Sequence, residues 1–418
     1  MDLNVFCNAI GLNDNIKETL AASWDAFCSN VPEGFPAHFQ KEFYTKYAAL
    51  CKIPQDAIDR MDDVAATTAA RPELCCLANL IHYGLYAAKV PFIKTDITPE
   101  HLYGENTGIF HLMNAMSSLP LIAETHKKFN IPESNLAEVG QWITGTTINY
   151  RAGHNGIPGH SFSQSSWLYL HIKGTLFRIG RLEYLNGHWY PNFPAVYRHR
   201  VNKSIIALCP DGAMYDKRGC QLFPPTDEVP DFTAKLEMCD GKITGTPIAP
   251  DGTVLKDRKL SIPCDEYDVF CAPWDLIPSF HIPGGGGMTL DAVKESLLKA
   301  RQFYHDVFHT DVKGFICSSW IFSPDWIIEL PDSNMAKFRK NLFALPSGKH
   351  PKSGLFFVYG RQDITPQEMP CTTALHEAFC RITGRGDMLR YGEVFIPADL
   401  IETIGTEYFI NNCQPPVQ

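Results

Sequence analysis

The chain lacks most of the features that would set it apart from ordinary globular proteins. No run of about 18 apolar residues, the length needed to span a bilayer, occurs in its 418 residues. The opening MDLNVFCNAIGLNDNIKETL has no basic segment leading into an apolar one, so no secretory signal is expected. Its 14 cysteines contain no C-x-x-C, the pattern of separate reduced thiols in a cytoplasmic protein rather than of a disulfide frame. Positive charge is not in surplus: 46 acidic against 37 basic side chains give a net charge of −9, which argues against a nucleic-acid partner. There is no internal repeat, no low-complexity tract, no G-x-x-x-x-G-K-[ST] and no G-x-S-x-G. A nucleotide-hydrolase P-loop and an α/β-hydrolase triad therefore have no anchor. What is present is 45% hydrophobic and 20% charged, enough for a full-sized core, with length for two or three domains.

Three textures follow one another along the chain. Residues 1–152 read as a helical domain, with helices expected over 16–28, 36–51, 55–70, 72–88, 119–129 and 135–150. Pro36 and Pro72 suit first turns, and Leu74, Leu77, Ala78, Ile81 and Leu85 form one apolar helical face. Residues 151–160, with three glycines and a proline, read as a loop or linker. From there to residue 275 the pattern is β-rich. Trp167, Tyr169 and His171 alternate with Leu168, Leu170 and Ile172 as a strand, 176–185 continues as a second, and Asn186-Gly187 signals a hairpin into 188–190. Residues 276–418 alternate strands and helices: strands at 279–282, 315–321, 355–359 and 394–396, helices at 289–309, 334–341 and 372–383. In the longest helix Thr289 is the expected N-cap, and Leu290, Val293, Leu297, Ala300, Tyr304 and Val307 form the apolar stripe.

The glycine tetrad Gly284, Gly285, Gly286 and Gly287 lies between a strand and this capped helix. There, successive amides could cradle a phosphate, or simply make a flexible surface turn. His281, two residues before the turn, is a candidate general base. Cys317, with Ser318 and Ser319 beside it, could be a nucleophile served by His281, or inert core. Arg178 and Arg181 flank Gly180 on a strand, where each needs an internal acid such as Glu183 or Glu237, or a bound anion. His154 with His160, and His376 with Cys380, offer two ligands each, too few for zinc, so no metal is expected.

Five stretches in order resemble a bacterial family. They are 167–184, 280–286, Cys317-Ser-Ser-Trp320, Pro331-Asp-Ser-Asn334 and Phe357-Val-Tyr-Gly-Arg361. The family is that of acyltransferase-domain proteins pairing a helical N-acyltransferase N-terminal domain with a GNAT-like C-terminal domain. The resemblance implies an α+β protein: a helical domain over 1–152, then a GNAT-like mixed β-sheet flanked by helices over 153–418. It further implies transfer of an acyl group from acyl-CoA or acetyl-CoA to a small amine acceptor, in a cytoplasmic protein with no membrane partner. In that chemistry, backbone donors on a splayed strand hold the thioester carbonyl, and the glycine turn 284–287 would take the cofactor pyrophosphate; Arg178 and Arg181 are cofactor-binding candidates from the residues alone. No unambiguous [RQ]-x-x-G-x-[GA] pyrophosphate loop is found. A catalytically inactive GNAT-like binding module is therefore a second reading, and a Cys317 enzyme a third.

Overall fold

The computed structural model describes every residue except 32, 285, 286, 351, 417 and 418. It divides into two compact units, one of residues 1–178 with 283–285, the other of 179–282 with 286–418.

The first unit is helical because its sequence caps and stripes helices repeatedly. Asp2 accepts from the amides of Asn4 and Val5, Gly11 closes the same helix at φ 75°, and Asn13 caps Asp14–Asn30. Pro72 opens Pro72–His82. In the helix Thr107–Met116 residues 108–116 are all buried, the polar His111 and Asn114 included, so it forms the centre of this unit's core. The glycine-rich stretch after residue 153 is not a free linker. The His160 amide donates to the Gly108 carbonyl at 2.8 Å, an approach that a Cβ on Gly159 would block, lying 2.7 Å from the Gly108 Cα.

Two expected strands are helices. Phe162–Ile172 buries Phe162, Ser165, Leu168 and His171, a three-residue period longer than the local alternation of 167–172. Leu355–Tyr359 is bracketed by Gly354 and Gly360 at φ 78° and 75°, which end the chain's extension on both sides. The expected strand 176–185 is broken at Gly180, φ 61°, into Leu176–Ile179 and Leu182–Leu185. Its hairpin partner, 188–190, makes only the isolated bridge His188–Leu276. The cysteines are not all thiols either: Cys371 and Cys380 form a disulfide.

In the second unit, five strands form the sheet that matters here. They are β1 (Leu182–Leu185), β2 (Ser279–His281), β3 (Gly314–Ser319), β4 (Phe343–Lys349) and β5 (Arg390–Pro397), in the order β1-β2-β3-β5-β4. Only β2 and β3 are parallel; the other pairs are antiparallel. The crossover between β2 and β3 contains α1 (Leu290–Phe308), as expected from its pattern. Thr289 Oγ1 accepts from the Ala292 amide, and Val293, Leu297, Ala300 and Tyr304 are buried. One sheet face is apolar. Tyr184 and Phe315 meet there with Tyr304 of α1, and Phe280 packs on Phe322 and on Phe338 of α2 (Asn334–Lys340). Smaller antiparallel sheets fill most of the stretch between β1 and β2.

Candidate active site

β2 and β3 pair at one position, Ser279 with Ile316. Beyond it β2 runs on to His281 and β3 to Ser319 with no further ladder between them, although each keeps its outer neighbour. A parallel pair that lets go in mid-sheet leaves an opening lined by strand backbone.

Four polar side chains lie in a row across that opening. His281 pairs with Glu183 of β1, and Ser318 pairs with Glu393 of β5. His281 and Ser318 each stand two residues past the Ser279–Ile316 pair. Strand side chains alternate faces while directly paired residues share one, so all four fall on the face opposite Phe280 and Phe315. The hydrogen bond between Ser279 Oγ and His281 Nε2, 3.2 Å, agrees with that phase.

The environments differ along the row. Glu393 is buried, which raises its carboxyl pKa, while the Ser318 hydroxyl opposes the rise by donating to Oε1 at 2.7 Å. Burial lowers the His281 pKa below its usual value, with Glu183 across the strand pulling the other way.

The remaining candidates sit elsewhere. Cys317 is buried and in register phase with Phe280, so it faces away from His281. Burial, reinforced by the charge of Glu393, pushes its thiol pKa up, the reverse of what a nucleophile needs. Ser319 Oγ accepts from the Ile321 amide and caps the short turn after β3. Arg181 donates from Nε to the Gly287 carbonyl at 3.1 Å, so one arginine does reach the glycine turn. Gly284, in the first unit, has its carbonyl 3.6 Å from where a Cβ on Gly145 would lie. Gly285 and Gly286 lie outside the described residues. Arg178 is buried in the first unit and accepts at its carbonyl from Asn135 Nδ2. Among the described residues no group of three or more metal-ligating side chains occurs, and no helix is long and apolar enough to cross a membrane.

Glu393 escaped the sequence reading, which began the last strand at Val394. The signal was there: an acid between Gly392 and an apolar Val-Phe-Ile run must be paired or shifted if it is buried.

Comparison with known proteins agrees with this topology. The chain has the fold of an acyltransferase crystallised with decanoyl-CoA and teicoplanin, at 17% identity and a TM-score of 0.61, over 95% of this chain and 100% of that one. A mutant acyltransferase with octanoyl-CoA aligns at 17% identity and 0.60, over 95% and 99%. An acyltransferase with CoA and 10C-teicoplanin aligns at 17% and 0.59, over 95% and 100%. No curated protein sequence matches. The family model for the GNAT-like C-terminal domain matches residues 176–393. That span is more than half of the chain, which therefore belongs to the family of proteins built on a GNAT-like C-terminal domain.

Proposed function

We propose that this chain is an N-acyltransferase that moves an acyl group from acyl-CoA to the amine of a small acceptor. The observation that carries the reading is the opening between β2 and β3, with its row of titratable groups. The ligands of the structural neighbours support it: acyl-CoA or CoA in each, with teicoplanin in one and 10C-teicoplanin in another.

When bound, acyl-CoA supplies an activated acyl group as a thioester. The chain's own residues hold and orient it. The Pro278 carbonyl accepts from the Ile316 amide at 3.1 Å, so Phe280 and Ile282, in phase with Pro278, turn their amides toward β3. Ile282 lies past the last ladder position, and its amide is the donor for the thioester carbonyl. The N-terminus of α1, with Gly287 clipped by Arg181, takes the cofactor phosphates.

His281, neutral at pH 7 because burial lowers its pKa, removes the proton from the attacking amine. Glu183 stabilises the imidazolium that results. Ser318, whose hydrogen is committed to Glu393, keeps lone pairs facing the opening and accepts from the amine N–H, fixing the acceptor in place. Cys317 and Ser319 take no step.

The test is release of the CoA thiol from a panel of acyl-CoAs in the presence of small amines. Wild type releases thiol, and His281→Gln loses roughly 100-fold in kcat with acyl-CoA binding retained. Saturable acyl-CoA binding without release by any amine would make the chain a binding module instead.

A further inference from the structure

A second site lies in the second unit, at the mouth formed where β4, β5 and the turn after β3 end. It is a cavity of about 200 Å³, and Arg218, Lys256, Arg339 and Arg390 line it against Asp216 and Asp251. By volume it has room for a tetrahedral ion and a few waters, each water taking roughly 30 Å³.

The carboxylates that balance most of these cations stand behind the wall. Asp325 accepts from Arg390 at Nε and Nη2, Arg218 reaches Asp325 and Asp387, and Lys256 pairs with Asp231. None of Asp325, Asp387 and Asp231 lines the cavity. The lining therefore carries five cationic side chains, Arg218, Lys256, Arg339, Arg390 and Lys217, against the two carboxylates of Asp216 and Asp251.

Arg339 differs from the others. It is 5% exposed and has no carboxylate within ion-pair distance among the described residues. Two of its five N–H groups are used, from Nη1 to the Phe322 carbonyl at 2.8 Å and from Nη2 to the Asp251 carbonyl at 2.6 Å. Burial pulls its pKa down to about 10, with Asp251 opposing. Gly252, at φ 87°, allows the Asp251 turn to lie this close: a Cβ there would sit 2.6 Å from the Leu345 carbonyl oxygen and 3.2 Å from Arg339 Nη2. A buried guanidinium with three donors unspent, beside a cavity walled by cations, calls for an acceptor of opposite charge.

We infer that this cavity is a binding site for a phosphate-like oxyanion, held by Arg339 at its floor and by Arg218, Arg390 and Lys256 around it. The anion is either free phosphate or sulfate, or the phosphate group of a larger ligand. The inference does not depend on acyl transfer.

Isothermal titration of the full chain with inorganic phosphate, at constant ionic strength in chloride, tests it. Calorimetry is preferable to a melting curve because phosphate and sulfate stabilise proteins without specific binding. One saturable site tighter than about 1 mM is expected, weakened at least tenfold in Arg218→Gln and in Lys256→Met. These two side chains are partly exposed, so the variants avoid the buried floor. Repeating the titration in saturating CoA separates the sources: an unchanged isotherm means a free anion or another ligand, and an abolished one means a CoA phosphate. Absence of a saturable site in the wild type, or an isotherm unchanged in both variants, would overturn the proposal.

Discussion

Ser318 donates its hydroxyl hydrogen to Glu393 Oε1 at 2.7 Å, across the β3–β5 ladder and beside the place where β3 releases β2. This bond ties a buried acid to β3 where its ladder with β2 has ended. If it positions Ser318 for the acceptor amine, Ser318→Ala raises KM for the amine several-fold more than it lowers kcat. Equal losses in both, or none, would remove Ser318 from the site.

Glu393 should show a conflict between activity and stability. Its folded pKa is raised, so its contribution to stability is fully present below the usual carboxyl pKa and is lost as pH rises through the folded value. Glu393→Gln removes that loss. The variant is expected to melt higher than wild type at pH 7, to match it near pH 4, and to lose about tenfold in acyl transfer.

The first unit carries an acid-labile group of histidines. Burial lowers His38 and His160 to about 3, and His82 and His126 to about 4. Each binds its proton more readily unfolded than folded. Stability is thus intact above the unfolded pKa of about 6.5 and falls as pH drops toward these values, by up to about 1.4 kcal/mol per group per pH unit. Helical circular dichroism should melt steeply earlier at pH 5 than at pH 7. His38→Gln, which can keep a hydrogen bond to Asn114, should flatten that dependence.

How far the sequence reading reached follows from how local each signal was. The helix Leu290–Phe308 was legible because its cap at Thr289 and its stripe lie within twenty residues. Phe162–Ile172 was misread because six residues of alternation hid a three-residue period that starts at Phe162. The five apolar residues of Leu355–Tyr359 fit either type, and only the left-handed Gly354 and Gly360 decide for helix. His281 and Arg181 stand out in the sequence because each lies beside glycine, His281 before the tetrad and Arg181 after Gly180. The row of Glu183, His281, Ser318 and Glu393 was not legible: strand register joins positions scattered from 183 to 393, and no short window contains register.

The cysteine pattern corrects in the same way. Cys371 and Cys380 are nine residues apart, and the fold of the helix Ala374–Gly384 brings them together. Denatured, unreduced protein should give 12 titratable thiols against 14 cysteines in all. Cys371→Ser should cost about 2–3 kcal/mol. A count of 14 would show that the pair is not oxidised.

Packing beside the site gives a mutational check on the fold. A Cβ on Gly392 would fall 1.8 Å from the Phe322 carbonyl oxygen, where backbone meets backbone. Gly392→Ala should destabilise by about 3 kcal/mol through overpacking, measured by denaturant unfolding. A neutral result would contradict the β3–β5 register that places Glu393 beside Ser318.

The central claim is that the opening between β2 and β3 receives acyl-CoA. Its most direct test is thermal unfolding of the purified chain with a panel of acyl-CoAs and with free CoA. A ligand that binds only the native state, at 100 times its dissociation constant, adds about 2.7 kcal/mol. The account predicts a saturable rise in the melting temperature with at least one acyl-CoA, larger than with free CoA. No rise with any member of the panel would contradict it.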